Sequence, residues 1–271
     1  MNHRIPEPIQ PTLQNFIVLV NQQLPGLIKA FYLEGSIALG GFNERSSDID
    51  FVAILERQTT LTEIESLRHI HEVVEKTYPQ WEMSGSYLRW DDFSCPENKI
   101  KPILYFHDGI LQHNGHFEFS SVEGWILKNH GIPIIGPDPQ ELPFTVDWHL
   151  LIKKMRENLN SYWASWTRRP NRIIMMLSDW GVQWAVLGVL RQFYSFRENT
   201  ITTKIKAGEY ALACLSGRWH RLIREAINIR EGQSTSLYHS KVMRTVEAIR
   251  FLKFIISTCN ADFAKGRPTA F

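Results

Sequence analysis

The chain changes its pattern of side chains near its middle, and this change limits the folds that it can adopt. Up to about residue 146, segments with the two-residue period of strands alternate with segments of helical period. From Asp147 onward only helical period remains. Alternation predicts layers of helices on a sheet, whereas consecutive helices predict a bundle. We therefore expect one domain over residues 1–146 and a helical domain over residues 147–271.

The first domain is predicted to contain three strands and several helices. The strands are expected at residues 30–34, 48–55 and 80–88. Helices are expected at residues 13–24, 61–77 and 121–129, with one short helix at residues 37–41. The rest of residues 92–146 is rich in Pro, Gly and His and is predicted to be irregular, with a short apolar run at 132–135 and a linker at 136–143.

The second domain is predicted to be a bundle of five helices joined by short loops. These helices are expected at residues 148–166, 171–196, 202–216, 219–231 and 240–260.

The net charge of +2 conceals an asymmetry between the two domains. Residues 1–146 carry 10 basic and 19 acidic side chains, a net charge of −9, and residues 147–271 carry 20 basic and 9 acidic side chains, a net charge of +11. Such a division indicates two bodies with different electrostatic roles.

The cysteines and the N-terminus narrow the class of protein. Cys95, Cys214 and Cys259 are odd in number and have no C-x-x-C spacing, so they support neither a disulfide framework nor a zinc site. Residues 1–14 are polar and contain three prolines, and no run approaches 18 apolar residues. We therefore expect free thiols, a cytoplasmic location and no membrane association.

The stretch from Gly35 to Asp50 combines two features that suit phosphate and metal binding. Asp48 and Asp50 are two residues apart on a predicted strand, so both carboxylates leave one face, about 6.6 Å apart along the chain. Mg²⁺ prefers such oxygen ligands and is often held by one or two carboxylates together with substrate phosphates. Gly35-Ser36 precedes a short helix, where amide groups, the close approach that glycine allows and the serine hydroxyl favour a phosphate.

In this order and spacing, Gly35-Ser36 and Ser47-Asp48-Ile49-Asp50 resemble the active-site motif of the DNA polymerase β-like nucleotidyltransferases. Within that superfamily the whole chain is similar to the aminoglycoside adenylyltransferases of the streptomycin/spectinomycin type. The resemblance implies an α+β nucleotidyltransferase domain of the polymerase β type followed by an all-α helical bundle, with MgATP and antibiotic bound between the two domains.

Three further positions are interpreted through this resemblance. Glu82 falls where the family places the carboxylate that acts as general base and metal ligand, on a predicted strand face shared with Ser84 and Ser86. Residues 191–195 and 201–211 match the family's helix, turn and phosphate-binding lysine, which assigns Lys204 to the triphosphate. Arg230 stands where the family has a tyrosine beside the nucleotide, and it either stacks on adenine or makes a different base contact.

The resemblance thus implies transfer of AMP from ATP to a hydroxyl group of an aminoglycoside-type antibiotic. Asp48, Asp50 and Glu82 would hold one or two Mg²⁺ ions, and Glu82 would accept the hydroxyl proton. The triphosphate would be bound by Gly35, Ser36, Ser47 and Lys204. The expected partners are ATP and a small-molecule acceptor, and the expected oligomeric state is a monomer.

The second domain leaves the acceptor open. Trp163, Trp166, Trp180 and Trp184 could supply flat surfaces for an antibiotic, and Asp179 is the nearest match to an acidic contact of the family. A domain with a net charge of +11 is nevertheless an awkward site for a polycation. Its basic residues form either a solvated surface or a face for an anionic acceptor such as RNA, although no RNA-binding motif is present. A third possibility is a nucleotide-binding sensor without catalysis, against which the three intact carboxylates argue.

Overall fold

A computed structural model describes residues 2–95 and 99–264 of the chain. The chain divides after Trp148 into two compact units. The first is built on a sheet and the second, within the described residues, on helices. No helix in the described ranges is both long enough and apolar enough to cross a membrane.

The sheet of the first unit has six strands in the order β5-β4-β3-β2-β1-β6. β2 and β3 run parallel, and every other neighbouring pair is antiparallel. The strands are β1 Ile28–Leu33, β2 Ile49–Leu55, β3 Met83–Arg89, β4 Ile103–His107, β5 Ile110–Gly115 and β6 Ile132–Ile135.

The described residues of this unit form four α-helices: α1 Gln10–Gln23, the short α2 Gly35–Ala38, α3 Leu61–Thr77 and α4 Val122–His130. Side chains of α1 and α3 pack on one face of the sheet, where Phe16, Phe31 and Phe51 are fully buried. The opposite face carries a second apolar cluster that includes Tyr32, Val52 and Leu127 of α4. Because side chains of a strand alternate between faces, each central strand supplies both clusters.

The predicted helices and strands of residues 13–88 are found, with small shifts of their ends. Helix α3 spans the predicted residues, because its apolar positions have helical spacing and Thr60 begins it with a capping box. The Thr60 hydroxyl accepts a hydrogen bond from the Glu63 amide, and the Glu63 carboxylate accepts one from the Thr60 amide. The third strand starts later than predicted, at Met83, so Glu82 lies just before it.

The prediction of an irregular segment after residue 92 is wrong for residues 103–115, which form the β4–β5 hairpin. The two residues at its turn, Asp108 and Gly109, have φ angles of +50° and +71°. Positive φ at both central positions is typical of a type I′ turn, for which Asp-Gly is a favoured sequence. The dipeptide was therefore the available sequence signal for this hairpin.

Among residues 149–264, which the structure describes, the second unit contains one α-helix more than predicted. Its helices are α5 Trp148–Asn158, which starts at the unit boundary, α6 Pro170–Met175, α7 Asp179–Glu198, α8 Lys204–Cys214, α9 His220–Arg230 and α10 Lys241–Ala264. The predicted helix over residues 171–196 is split because Ser178 caps α7, with its hydroxyl accepting a hydrogen bond from the Gly181 amide. The segment predicted as one helix over residues 148–166 continues from α5 into a π-helical turn, Leu159–Trp163.

Candidate active site

The parallel pairing of β2 with β3 places the predicted carboxylates near the N-terminal ends of these two central strands. Asp50 is paired in register with Ser84, and the Ile49 amide donates a hydrogen bond to the Glu82 carbonyl at 2.8 Å. Asp50 alternates with Ile49 and Phe51, whose side chains belong to the core under α1 and α3. The Asp50 side chain therefore leaves the opposite face of the sheet.

The backbone at Gly35 lies directly against the Asp50 carboxylate. The Glu34 amide donates to the Asp50 carbonyl at 3.0 Å. A Cβ atom on Gly35 would lie 1.8 Å from Asp50 Oδ2, and the φ angle of Gly35 is +58°. Both the close approach and the left-handed conformation require glycine here. Gly35, which was predicted to bind phosphate, and Asp50, which was predicted to bind a metal ion, are therefore in contact.

The neighbouring polar residues have unequal surroundings. Asp48 precedes β2 and is partly exposed, and Ser47 is buried, with its hydroxyl accepting a hydrogen bond from the Asn43 amide at 3.0 Å. The Ser36 hydroxyl is buried and has no hydrogen-bond partner among the described residues. Such an orphaned hydroxyl beside a glycine turn can donate to an incoming oxygen atom.

Glu82 contacts the β4–β5 turn. Its Oε1 accepts a hydrogen bond from the Asp108 amide at 3.0 Å, and His107 Nδ1 lies 3.9 Å from the same oxygen. His107 Nδ1 also lies 3.0 Å from Ser84 Oγ. Within the described ranges, the group of three ligand-type side chains that meets within 4.8 Å is Glu82, His107 and Asp108. Asp48, Asp50 and Glu82 lie near the N-terminal ends of β2 and β3 but do not form such a group.

A pocket of about 440 Å³ opens on the same face of the sheet. Glu34, Asp50 and Glu123 line it together with polar side chains that include Ser86, Tyr105 and Asn114. Burial above all, and then the negative charges of Glu123 and Asp50, raises the pKa of Glu34 well above its ordinary value. Glu34 and Glu123 were missed in the sequence. The only available signal for Glu34 was a single acid between an apolar strand and Gly35.

The second unit holds the remaining predicted nucleotide ligands. Lys204 is the first residue of α8, and its Nζ lies 4.1 Å from the centre of the Trp184 ring. Arg230 is the last residue of α9. Trp180 is 51% exposed and stacks on Trp184 with 5.3 Å between ring centres.

Several side chains that were considered as antibiotic contacts have structural roles. Trp163 and Trp166 are buried in the core of the second unit and are not available as open flat surfaces. Asp179 forms an ion pair at 2.7 Å with the buried Arg244, which also pairs with Glu225. Arg244 shares one positive charge between Asp179 and Glu225, so the charge of Asp179 is matched only in part within the protein.

Three other arginines of this unit lie over aromatic rings. The guanidinium of Arg172 lies 4.2 Å from the centre of the Tyr162 ring, and that of Arg221 lies 3.8 Å from the centre of the Tyr238 ring. Arg218 lies over Trp219 in the same way. These contacts indicate that the three arginines pack against the protein's own aromatic side chains, which favours a structural role for them over phosphate binding.

Two family models match the chain. The nucleotidyltransferase domain matches residues 15–106, and the C-terminal domain of the aminoglycoside adenylyltransferases matches residues 159–253. The chain therefore combines a nucleotidyltransferase domain with a C-terminal domain of the aminoglycoside adenylyltransferase type. The resemblance inferred from the motifs is confirmed, as are the predicted order of a nucleotidyltransferase domain and a helical region and the assignment as a nucleotidyltransferase.

Among solved structures, the chain is similar to the spectinomycin adenyltransferase AAD(9) from Enterococcus faecialis, crystallised with ATP and spectinomycin. The two share 12% sequence identity at a TM-score of 0.66, over 90% of this chain and 98% of that chain. At this identity the likeness supports the fold. No curated protein sequence matches the chain at a significant level.

Proposed function

We propose that this chain transfers AMP from ATP to a hydroxyl group of a cationic, aminoglycoside-type small molecule. The observation that carries the proposal is the contact between the Gly35 turn and the Asp50 carboxylate beside an acidic pocket. This arrangement suits a triphosphate and its counter-ion next to a space for an acceptor.

The carboxylates of Asp48, Asp50 and Glu82 are the side chains that would hold Mg²⁺. All three supply oxygen ligands, which is the donor set that Mg²⁺ prefers. The ion, when bound, would supply positive charge that stabilises the phosphate oxygens in the transition state. Because the Asp50 carboxylate lies against the backbone of Gly35, the bound phosphate and the ion would lie next to each other.

Glu82 is proposed as the base that takes the proton of the acceptor hydroxyl. The acceptor oxygen then forms a bond with the α-phosphorus while the bond from that phosphorus to the bridging oxygen breaks, and pyrophosphate leaves. Glu82 suits this role because its carboxylate is partly exposed and is oriented through Oε1 by the Asp108 amide.

Four residues are proposed to bind the triphosphate. Gly35, Ser36 and Ser47 would supply the turn and two hydroxyls, and Lys204 would supply a positive charge. Arg230 is proposed to contact the base, either by stacking on adenine or through an edge contact. The proposed domains are the nucleotidyltransferase domain over residues 1–146 and the helical nucleotide- and substrate-binding domain over residues 147–271.

The acceptor is proposed to be cationic because the acidic charge of the chain is concentrated in residues 1–146, where the pocket lies. The similar AAD(9) structure contains spectinomycin, which agrees with this class of acceptor. The direct test is release of pyrophosphate from ATP and Mg²⁺ with a panel of streptomycin, spectinomycin and RNA. Release with an aminocyclitol antibiotic is expected, and release with RNA alone would contradict the proposed acceptor.

The role of Glu82 is tested by Glu82→Gln, which keeps the size of the side chain and removes its basicity. Turnover is expected to fall by at least about 100-fold, because general-base catalysis contributes factors of about 10² to 10⁴. The affinity for ATP, measured by calorimetry, is expected to change by less than about threefold. Unchanged turnover in this variant would disprove the assignment.

A further inference from the structure

The floor of the acidic pocket contains a carboxylate without a partner. Glu34 is 8% exposed, and its Oε2 has no hydrogen-bond partner among the described residues. A buried polar atom that makes no hydrogen bond costs about 1–3 kcal/mol, and more when it is charged. Natural proteins rarely retain such an atom unless a ligand, ion or water completes it.

Glu34 is not needed for the local fold. Its backbone amide, and not its side chain, makes the hydrogen bond to the Asp50 carbonyl that joins the end of β1 to β2. Its side chain shares the pocket with the carboxylates of Asp50 and Glu123. The described residues that line the pocket include no Lys or Arg. Besides a proton, or the imidazoles of His107 and His116 on the pocket wall, a cationic ligand can supply the positive charge that pairs with the Glu34 carboxylate.

A metal ion alone does not account for this pocket. Among the described residues, Glu34 belongs to no group of three ligand-type side chains that meets within 4.8 Å. The volume of about 440 Å³ is that of a small-molecule site and far exceeds the space of one cation. Ser86, Tyr105 and Asn114 add hydroxyl and amide groups to its wall, which suit a ligand that carries hydroxyls of its own.

We propose that Glu34, together with Glu123, binds an ammonium group of the acceptor and so selects aminocyclitols that carry such a group. The inference rests on the proposed adenylyl transfer and assigns the acceptor side of the same site. Glu34 is the main ligand because it is the more deeply buried of the two, and an ion pair gains strength where water is excluded. Glu123 contributes from the first turn of α4.

The test compares Glu34→Gln with the wild-type protein. Affinities for spectinomycin and streptomycin are measured by calorimetry in the presence of Mg²⁺ and a non-hydrolysable ATP analogue. Glu34→Gln is expected to weaken binding of at least one of them tenfold or more, with the affinity for the ATP analogue within twofold of wild type. The N-acetylated form of the same antibiotic is expected to bind the wild-type protein and Glu34→Gln equally weakly.

Glu72→Gln is the matched control, since Glu72 is an exposed side chain of α3, the helix on the other face of the sheet. It removes the same charge and is expected to leave both affinities unchanged. Thermal unfolding of Glu34→Gln separates binding from folding. Its midpoint is expected to equal or exceed that of wild type, because a buried unpaired carboxylate is replaced by a neutral group.

Three results would overturn the ammonium site. They are equal antibiotic affinities in wild type and Glu34→Gln, binding of neither antibiotic by a wild-type protein that binds the ATP analogue, and a parallel loss of folding and ATP-analogue binding in Glu34→Gln. The proposed function fails separately. If pyrophosphate is released only with RNA, adenylyl transfer remains and the ammonium site falls. If no acceptor supports release of pyrophosphate, the proposed adenylyl transfer is disproved, and the binding measurements still decide the role of Glu34.

Discussion

The two faces of the sheet are made by the same strands and have opposite chemistry. On the face under α1 and α3, Phe31 and Phe51 stack with 5.1 Å between ring centres, and the described core residues there are almost all apolar. On the other face, Asp50 and Ser84 stand at the end of the second apolar cluster and line a pocket. Side chains alternate between the two faces along a strand. Asp50, which is proposed to act in the reaction, is therefore the direct neighbour of Phe51, which packs in the core.

Adjacent residues of β2 should therefore respond to mutation in opposite ways. Phe51→Ala is expected to lower the free energy of unfolding by about 3–5 kcal/mol, because it empties a fully buried site. Urea unfolding measures the loss. Asp50→Asn is expected to leave this free energy unchanged or higher while lowering AMP transfer by about 10²- to 10³-fold, the usual cost of one electrostatic contact in the transition state. Loss of stability in Asp50→Asn would contradict the separation of the faces.

The contact between the Gly35 turn and Asp50 can be tested with two glycines of similar backbone conformation. Gly35→Ala places a methyl group 1.8 Å from Asp50 Oδ2, so the carboxylate must move. AMP transfer is expected to fall by about 100-fold, the effect of a displacement of about 1 Å in an active site.

Gly40→Ala is the control for Gly35→Ala. Gly40 has a φ angle of +68° but no atom within 4 Å of the added Cβ. It therefore shares the backbone strain, about 1–2 kcal/mol, without the steric clash. Activity is expected to stay near wild type. Equal losses of AMP transfer in the two variants would mean that strain, and not the contact with Asp50, limits activity.

The smallest expected effect concerns the one buried histidine on the apolar face. Burial lowers the pKa of His71 to about 3, from an ordinary value of 6.5, and His71 Nε2 lies 2.6 Å from the Tyr87 hydroxyl. The neutral form is therefore favoured in the folded state, and the unfolded state takes up a proton first as the pH falls. The stability that His71 provides is present above pH 6.5 and is lost between pH 6.5 and about 3.

Below about pH 6, the folding equilibrium constant should therefore fall about tenfold for each unit by which the pH is lowered. Measuring the free energy of unfolding as a function of pH shows this slope. His71→Phe lacks the group that titrates and is expected to show a shallower decline over pH 6.5–5. The difference between the two curves isolates His71, because the carboxylates are common to both proteins. Parallel curves would show that His71 does not titrate in this way.

Elements with a strong period were predictable from the sequence. Helix α3 was predicted at its observed ends because its apolar residues have helical spacing and Pro79 follows it. The β4–β5 hairpin was missed because its strands are short and mix apolar with polar residues, and only Asp108-Gly109 marks its turn. Helix α7 was joined to α6 because Ser178 acts as a cap through one hydrogen bond, which a helical period does not show.

The candidate site was predictable only in part, for a similar reason. Asp48 and Asp50 are two residues apart, and this spacing alone fixes which face of a strand they share. Glu34 and Glu123 are 89 positions apart in the chain, and only the folded sheet and α4 bring them to one pocket. The contact of Glu82 with the hairpin turn likewise depends on a strand that was not predicted.

The hydrogen bond from the Asp108 amide to Glu82 limits which substitutions this protein can accept at the hairpin turn. Its donor is a main-chain group, which every amino acid except proline retains. Proline is in turn disfavoured at this position, where φ is +50°. A positive φ favours Asp, Asn or Gly at position 108, so exchange among these residues can change the charge beside Glu82 while the main-chain donor is kept. The charge beside Glu82 and the hydrogen bond that orients its carboxylate can thus change independently at this turn.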